Sequence, residues 1–306
     1  MPQDLHILPK LRDSLSFLYV EHCILEQFNS SIIMITKTGK TPIPIAAMTV
    51  LLIGPGVSIT HAAIKSICDC GCMAVWCGEN GAKFYAMGTG ETRSSQNLLI
   101  QAKYCMNAED HLVIAKRMYI RRFPGINCRD MTIQQLRGLE GIRVRESYKV
   151  AAQNTGIKWN KRSYKKTNWD DADPVNRALS SANAILYSVC QAAIVSLGYS
   201  TGLGFIHTGK ILSFVYDVAD LYKAEMTIPV AFSSVKNCNG NLDREVRLEC
   251  RQSFYTHHLL KRIPEDLAWI FNSSEFIDDI SMITGALWDD KNGVIQGGIN
   301  HADDLT

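Results

Sequence analysis

The sequence predicts an α+β fold, in which a small β-rich N-terminal domain precedes a larger all-α domain that carries a candidate metal site. Residues 1 to about 90 hold β-branched and aromatic runs between turn residues, whereas apolar residues recur at three- and four-residue spacing from residue 98 onward. The 306 residues suffice for two domains. We expect domains at 1–90 and 98–271, a linker at 91–97, and an acidic, poorly ordered tail at 272–306.

The N-terminal region is predicted to consist mainly of strands. The run SLSFLYVEHCILEQF is rich in β-branched and aromatic residues, and SIIMITKTGKTPIPI predicts two extended segments around a turn at residues 37–40. A short helix is expected from His61, in HAAIKSIC. The stretch MAVWCGENGAKFYAMG predicts a hairpin whose turn is Glu79-Asn80-Gly81.

Helices are predicted beyond the Gly- and Ser-rich segment GTGETRSSQN. The first is NLLIQAKYCMNAEDHLVIAKRMYIRRF, and the second is TIQQLRGLEGIRVRESYKVAAQNT, which opens with a threonine cap signal. A third begins at Pro174 and ends at Gly198, and DREVRLECRQSFYTHHLLKRI is expected to form one further helix.

The composition is typical of a soluble globular protein, with 46% hydrophobic and 20% charged residues. The first residues lack the apolar core of a signal peptide, and no run of about 18 apolar residues predicts a membrane span. We therefore expect a cytoplasmic protein that does not associate with membranes.

The cysteine cluster CDCGCMAVWC raises the question of a zinc site. Its members are Cys68, Cys70, Cys72 and Cys77. Structural zinc sites usually have a two-residue gap within each cysteine pair and a second pair with similar spacing, which this cluster lacks. Packing of the thiols in the core is the favoured interpretation.

The net charge of +2 conceals an uneven distribution of charge. Residues 272–306 contain seven acidic residues and one basic residue, which leaves 31 basic and 23 acidic residues in the rest of the chain. Nine basic residues lie between Arg137 and Lys166, against Glu140 and Glu146. Such a concentration indicates a polyanionic partner such as nucleic acid, although a solvated helix face has the same pattern.

The stretch GFIHTGKILSFVYDVADLYK, residues Gly204–Lys223, matches several motifs. Its first seven residues have the spacing of a phosphate-binding P-loop. That loop needs Ser or Thr after its lysine to hold magnesium, and Ile211 follows Lys210 here. The sequence therefore argues against an ATPase.

The pentapeptide GYSTG around Ser200 fits the nucleophile elbow of serine hydrolases, with His207 and Asp217 as further members of a triad. The elbow needs a strand before the serine and a helix after it, and its acid precedes the histidine. Here a helical pattern precedes the serine, and the histidine precedes the acid. A serine hydrolase therefore stays the less favoured alternative.

A metal site is the third interpretation of this stretch. Asp217 and Asp220 are predicted to lie about 60° apart on a helix that Ser213 caps. With His207 just upstream, they form an imidazole and carboxylate set that suits Mg²⁺ or Mn²⁺. A second interpretation stays open, in which Lys223 pairs with Asp220 on an ordinary polar face and His207 packs in the core.

Glu140 is the candidate for a further ligand. Its neighbours Gly138 and Gly141 cost helix stability and would let another backbone or a phosphate approach closely. The surrounding bases are Arg137, Arg143 and Arg145. This arrangement fits a metal beside docked phosphates, and it equally fits a surface ladder of ion pairs.

Three segments in matching order resemble one family: LRGLEGIRVRESY, GFIHTGKILSFVYDVADLYK and DREVRLECR. They resemble the CRISPR adaptation integrases of the Cas-one family, in its Cascade-associated (I-E) branch, and KTGK and PGVSITHAAIK are similar too. The resemblance runs from about residue 10 to 265. It implies a homodimer formed through the N-terminal domain, and two such dimers bridged by a dimer of the small Cas-two companion.

The resemblance also implies roles for individual residues. The metal ligands would be Glu140, His207 and Asp220, with Asp217 close by in the catalytic site and Mg²⁺ or Mn²⁺ as the cofactor. The expected DNA-binding residues are Tyr187, Lys210, Lys223, Arg137, Arg143, Arg145, Arg244, Arg247 and Arg251.

The activity implied is that of a metal-dependent DNA endonuclease and integrase. It would insert short foreign DNA fragments (spacers) into a CRISPR repeat array by attack of a 3′-hydroxyl on a phosphodiester. Its partners would be double-stranded DNA with single-stranded ends (the prespacer) and the DNA of the array. The non-enzymatic alternative is an architectural DNA-binding protein whose acids merely balance its bases.

Overall fold

A computed structural model describes residues 15–28, 31–78, 84–88, 95–128, 130–162, 173–271, 287–289 and 293–295. A β-rich N-terminal part precedes a helical part, so the predicted α+β fold is confirmed. The domain limits at 90 and 98 stay a prediction, and the first helix of the helical part already begins at Gln96.

The N-terminal part contains eight strands and one α-helix among the described residues. The strands are β1 (Leu15–Val20), β2 (Ile24–Phe28), β3 (Ser31–Thr36), β4 (Gly39–Ile43), β5 (Met48–Ile53), β6 (Ser58–Ile59), β7 (Met73–Cys77) and β8 (Phe84–Gly88). The helix α1 (His61–Asp69) is the one predicted from HAAIKSIC, and the side chain of Thr60 caps it by accepting from the Ala63 amide.

These strands form two four-stranded sheets, with orders β1-β5-β7-β8 and β4-β3-β2-β6. The predicted turn at residues 37–40 joins β3 to β4, which pair antiparallel with Thr36 opposite Gly39. The pairing of β7 with β8 is antiparallel as predicted. The expected turn Glu79-Asn80-Gly81 lies outside the described residues.

The central strands β5 and β7 of the sheet β1-β5-β7-β8 are buried on both faces, and their side chains alternate between two cores. Val50 and Leu52 of β5 face a core shared with the helices. Leu51 and Ile53, which point the other way, face a core shared with the second sheet and α1. The β-rich part therefore presents one sheet face to the helical part as a packing platform.

The cysteine cluster belongs to these cores. Cys72 lies in the core between the sheets, whereas Cys77 lies in the core shared with the helices. Burial raises the pKa of Cys72 and of Cys77 to about 12. Two thiols directed into different cores do not share one tetrahedral zinc ion, so core packing explains Cys72 and Cys77.

The helical part contains eight α-helices among the described residues. They are α2 (Gln96–Met106), α3 (Ala108–Arg122), α4 (Ile133–Thr155), α5 (Pro174–Ser196), α6 (Ser213–Ala219), α7 (Thr227–Asn237), α8 (Leu242–Thr256) and α9 (Leu259–Phe271). The predicted start of α5 at Pro174 is confirmed. The predicted threonine signal for α4 is a complete capping box, in which Thr132 and Gln135 exchange hydrogen bonds.

Two of the predicted helices are each divided in the structure. The side chain of Asn107 accepts from the amides of Glu109 and Asp110, so it caps α3 and separates it from α2. The helix predicted over DREVRLECRQSFYTHHLLKRI breaks at His258, whose φ of 50° is incompatible with a right-handed helix. The helix α7, in TIPVAFSSVKN, was not predicted.

The helix α5 is the centre of the helical part. It packs against α6, α7, α8, α9 and strand β5. By length and composition alone, Pro174–Val195 would qualify as a membrane span, but 72% of that window is buried inside the protein. An apolar core helix explains this composition.

The acidic tail has some regular structure. Strands β9 (Leu287–Asp289) and β10 (Gly293–Ile295) pair antiparallel. The other residues of the tail lie outside the described part of the chain, and the poor order expected of the tail stays a prediction.

Candidate metal and nucleic-acid site

The predicted ligands Glu140, His207 and Asp220 line one cleft in the helical part. Its volume is about 650 Å³. The lining residues come from α3, α4, the loop before α6 and the residue that follows α6: Ala108, His111, Leu112, Ala115, Tyr119, Arg122, Ile133, Arg137, Glu140, Phe205, Ile206, His207 and Asp220. Tertiary packing thus unites residues that lie 80 positions apart in the sequence.

The carboxylate of Asp217 organises the loop that carries His207. It is completely buried, and it accepts hydrogen bonds from the backbone amides of Phe205 (2.6 Å), Ile206 (3.1 Å) and His207 (2.8 Å). It also lies 2.7 Å from Nδ1 of the His207 ring. This one side chain therefore fixes both the loop backbone and the imidazole.

The contact with Asp217 determines which ring nitrogen of His207 is free. A carboxylate accepts hydrogen bonds, so Nδ1 carries a proton and donates it, and in the neutral imidazole Nε2 keeps its lone pair. The Nε2 atom lies 3.9 Å from Oδ2 of Asp220. The side chain of His207 is 43% exposed, which excludes the alternative of a histidine packed in the core.

The structure corrects the predicted geometry of the two aspartates. They were expected on one face of a helix, but Asp217 is buried behind the histidine, and Asp220, 20% exposed, follows the end of α6. Helix α6 begins at Ser213 with Leu212 as its N-cap, so Ser213 is not the cap. The Ser213 hydroxyl accepts instead from the Lys210 amide. Asp217 therefore supports His207 from behind, whereas Asp220 lines the cleft.

The loop before α6 also requires a glycine at its start. A Cβ atom on Gly204 would lie 2.2 Å from the carbonyl oxygen of His207 and 2.7 Å from Cβ of Ser213. Only a residue without a side chain allows this close approach. The glycine of GFIHTGK thus serves loop packing.

Asp220 is paired with Lys223, as one interpretation of the sequence expected. The Lys223 Nζ atom lies 2.6 Å from Oδ1 of Asp220 and 4.7 Å from the ring centroid of Tyr187. Burial lowers the pKa of Lys223, but Asp220 and Tyr187 raise it by more, so the net pKa lies above its ordinary value. Lys223 is therefore a permanent positive charge at the edge of the cleft.

Glu140 projects from α4 into the same cleft. Its Oε1 lies 3.5 Å from Nη1 of Arg122, and its Oε2 lies 3.6 Å from Nη1 of Arg143. Oε2 is buried without a hydrogen-bond partner. No other backbone approaches the flanking glycines: a Cβ on Gly138 would meet nothing within 4 Å, and one on Gly141 would lie 3.6 Å from Nη1 of Arg145. The approach of a phosphate to them stays a prediction.

Arg122 belongs to the site, although no sequence pattern indicated it. Its Nη2 donates to the backbone oxygen of Asp217 at 3.4 Å and lies 3.9 Å from Oδ2 of Asp220. Its guanidinium carbon also lies 5.0 Å from the ring centroid of Tyr119. An arginine in the last turn of α3 has no sequence signal that separates it from a surface residue.

The described residues contain no group of three or more His, Cys, Asp or Glu side chains already close enough to share one ion. The donors nevertheless fit a hard divalent cation in type. Oε2 of Glu140 is buried without a partner, Nε2 of His207 has a free lone pair, and Asp220 supplies a second carboxylate. The cleft therefore offers suitable ligands from three segments of the chain.

Comparison with known proteins identifies the family. The family described as CRISPR associated protein Cas1 matches residues 119–245. A curated relative, CRISPR-associated endonuclease Cas1 2 of Thermus thermophilus, is 43% identical over 308 residues, covering 99% of this chain and 94% of the relative. The chain belongs to the Cas1 family.

Solved Cas1 structures share the fold. The crystal structure of TtCas1 is 43% identical, with a TM-score of 0.78 over 85% of this chain and 98% of that one. The crystal structure of a TtCas1–DNA complex is 47% identical, with a TM-score of 0.65 over 86% of this chain and 99% of that one.

The DNA-binding residues predicted for this Cas1 family member occupy two regions. Arg137 lines the cleft, Arg145 is exposed further along α4, and Lys210 is exposed beside the His207 loop. The bases of α8 do not line the cleft. The guanidinium of one of them, Arg247, lies 4.5 Å from the ring centroid of Tyr19 in β1, and the other two, Arg244 and Arg251, are exposed.

The serine-hydrolase alternative does not fit this Cas1 fold. The residues before Ser200 form helix α5 and a turn, so the strand that a nucleophile elbow needs is missing there. The Ser200 hydroxyl accepts from the amide of Gly202, and its backbone amide is bound by Gln101. Ser200 therefore has a structural role in the loop.

Proposed function

We propose that this Cas1 family member is a metal-dependent DNA endonuclease and integrase that inserts short foreign DNA fragments into a CRISPR repeat array. The observation that carries the proposal is the convergence of Glu140, His207 and Asp220 on one cleft. The curated relative is named an endonuclease, and TtCas1 has been crystallised with DNA, which supports a nucleic-acid substrate.

Mg²⁺ or Mn²⁺ would be held by the carboxylates of Glu140 and Asp220 and by Nε2 of His207. When bound, the ion supplies Lewis-acid polarisation of the scissile phosphate and lowers the pKa of the attacking hydroxyl. The residues of the chain provide the geometry. Asp217 keeps the Nδ1 proton of His207 in place and thereby directs Nε2 into the cleft.

The reaction is a transesterification, in which one phosphodiester bond forms while another breaks, so it requires no external source of energy. The 3′-oxygen of the fragment forms a new bond to phosphorus, and the bond from phosphorus to the 3′-oxygen of the array strand breaks. The proton of the attacking hydroxyl is finally taken up by the leaving oxygen. The permanently charged Lys223, beside Asp220, offsets negative charge on the phosphate. Water in place of the fragment's hydroxyl gives strand cleavage.

The assembly follows from the proposed function. We propose membership of the I-E branch, a homodimer formed through the N-terminal β-rich part, and a Cas2-type dimer that bridges two such dimers. The substrates would be double-stranded DNA with single-stranded ends and the array DNA, in the cytoplasm. The proposed DNA contacts are Arg137, Arg143, Arg145, Tyr187, Lys210, Lys223, Arg244, Arg247 and Arg251.

A strand-transfer assay with purified protein, companion and a supercoiled array plasmid tests this function. We expect EDTA to stop joining and added Mg²⁺ or Mn²⁺ to restore it, while Ser200→Ala joins DNA at the wild-type rate. An architectural DNA-binding protein would shift the plasmid on a gel and join nothing with any metal. Joining that continues in EDTA would contradict the proposal.

DNA binding is expected to depend on salt through the exposed arginines of α4. Replacing Arg137 and Arg145 by glutamine should weaken binding and lower the slope of log K against log salt by about 0.9 per lost phosphate contact. Fluorescence anisotropy at several salt concentrations measures the slope. Arg262→Gln is the control, because Glu225 holds this guanidinium at 2.9 and 3.0 Å. An unchanged slope in the double variant would remove these residues from the interface.

A further inference from the structure

The guanidinium of Arg122 occupies the centre of the candidate site. Its side chain is 2% exposed, and it lies 3.5 Å from Oε1 of Glu140 and 3.9 Å from Oδ2 of Asp220. Nε has no hydrogen-bond partner. One buried positive charge thus lies between the two carboxylates that are assigned to the metal.

The distances in this cluster are those of charge balance and not of tight pairing. Close charged hydrogen bonds measure about 2.7–2.9 Å, and both contacts of Arg122 with the carboxylates are longer. Two carboxylates in a low-dielectric cleft repel each other unless a positive charge offsets them. Arg122 supplies that charge without a close hydrogen bond to either carboxylate, so both carboxylates can still bind another ligand.

Arg122 is far more buried than the other cations on these carboxylates. The side chains of Lys223, which pairs with Asp220, and of Arg143, which lies beside Glu140, are 25% and 23% exposed, against 2% for Arg122. Tyr119 lies over the guanidinium of Arg122, whose Nη2 donates to the backbone oxygen of Asp217. Its positive charge therefore stays in the cleft whatever binds there.

We propose that Arg122 is a positioning residue that acts as a fixed counter-charge for Glu140 and Asp220. Its charge offsets the repulsion between the two carboxylates before a divalent cation binds, and the same charge then weakens binding of that cation. This inference rests on the proposed metal site. It makes the affinity of the cleft for free Mg²⁺ or Mn²⁺ lower than that of the same ligands without the arginine.

The test is calorimetric titration of the purified full-length protein with MnCl₂ at pH 8, together with thermal unfolding with and without Mn²⁺. Arg122→Gln should bind Mn²⁺ roughly tenfold more tightly or better, because charges a few ångströms apart interact by several times thermal energy even at a high effective dielectric constant. Its melting temperature without metal should fall, and the rise caused by Mn²⁺ should exceed that of the wild type.

Two further variants separate this effect from general damage. Arg121→Gln is the matched control, since the neighbouring Arg121 pairs with Asp266 and does not line the cleft. It should lower the melting temperature and leave the Mn²⁺ affinity unchanged. Arg122→Lys keeps a charge but is too short to lie beside both carboxylates, so it should tighten binding a few-fold. This variant decides the question if Arg122→Gln does not fold.

The outcomes distinguish this inference from the proposed function. Unchanged or weaker Mn²⁺ binding by the folded Arg122 variants, with normal binding by the wild type, overturns the role of Arg122 and leaves the metal site intact. If the wild-type protein binds no Mn²⁺, or if Asp220→Ala binds Mn²⁺ as tightly as the wild type, the proposed metal site is wrong. The counter-charge role of Arg122 is then wrong as well.

Discussion

Alanine at Glu140, His207 or Asp220 is expected to reduce strand joining about a thousandfold or more. Metal ligation supplies several kcal/mol of transition-state stabilisation, and each ~1.4 kcal/mol is a factor of ten in rate. The three residues come from α4, the loop before α6, and the position after α6. Gel-based joining of a labelled fragment to an array plasmid measures the loss.

Binding of DNA should survive in these three variants, since most of its affinity comes from phosphate contacts. The matched control is Glu146→Ala, which removes a carboxylate of the same helix that is 59% exposed and paired with Lys149. It should join DNA at the wild-type rate. Joining by all three ligand variants would show that the ion, if present, binds elsewhere.

Asp217→Asn is expected to destabilise the fold by about 3 kcal/mol and to weaken Mn²⁺ binding 10- to 100-fold. The physical reason is the number of donors that meet at this buried carboxylate. Three backbone amides and Nδ1 of His207 all donate to this carboxylate. The side chain of the asparagine variant would place an NH₂ donor where one carboxylate oxygen now accepts. Urea unfolding and calorimetric titration measure the two effects.

Asp266→Asn is the control for Asp217→Asn. Asp266 is also buried, and it accepts from the hydroxyl of Tyr222 and the guanidinium of Arg121. It should lose stability while keeping its Mn²⁺ affinity, because it does not line the cleft. If Asp217→Asn retained both stability and affinity, the orienting role assigned to its carboxylate would be wrong.

Local patterns in the sequence were sufficient for many elements of the fold. The turn between β3 and β4, the helix α1 and the capping box of α4 depend on residues within a few positions of each other. Periodicity could not place the break between α8 and α9, because His258 with its positive φ looks like any other polar helix residue. The same holds for Asn107, whose cap interrupts an otherwise continuous helical pattern.

Residue types, spacing and a family resemblance all indicated the candidate ligands, whereas only the tertiary structure showed how neighbouring side chains support them. The sequence placed Asp217 and Asp220 on one polar face, and spacing alone gave no sign that one of them is fully buried. It also gave no reason to select Arg122 among the bases of α3.

The amino-acid sequence by itself determined the α+β class, most of the helices and strands, and the set of carboxylates and imidazole available for chemistry. Only the tertiary structure decided that Asp217 holds His207 from behind and that Arg122 stands between Glu140 and Asp220. The physical reason is range: capping and periodicity act within a few residues, but the burial of a charge depends on segments that meet only when the whole chain folds.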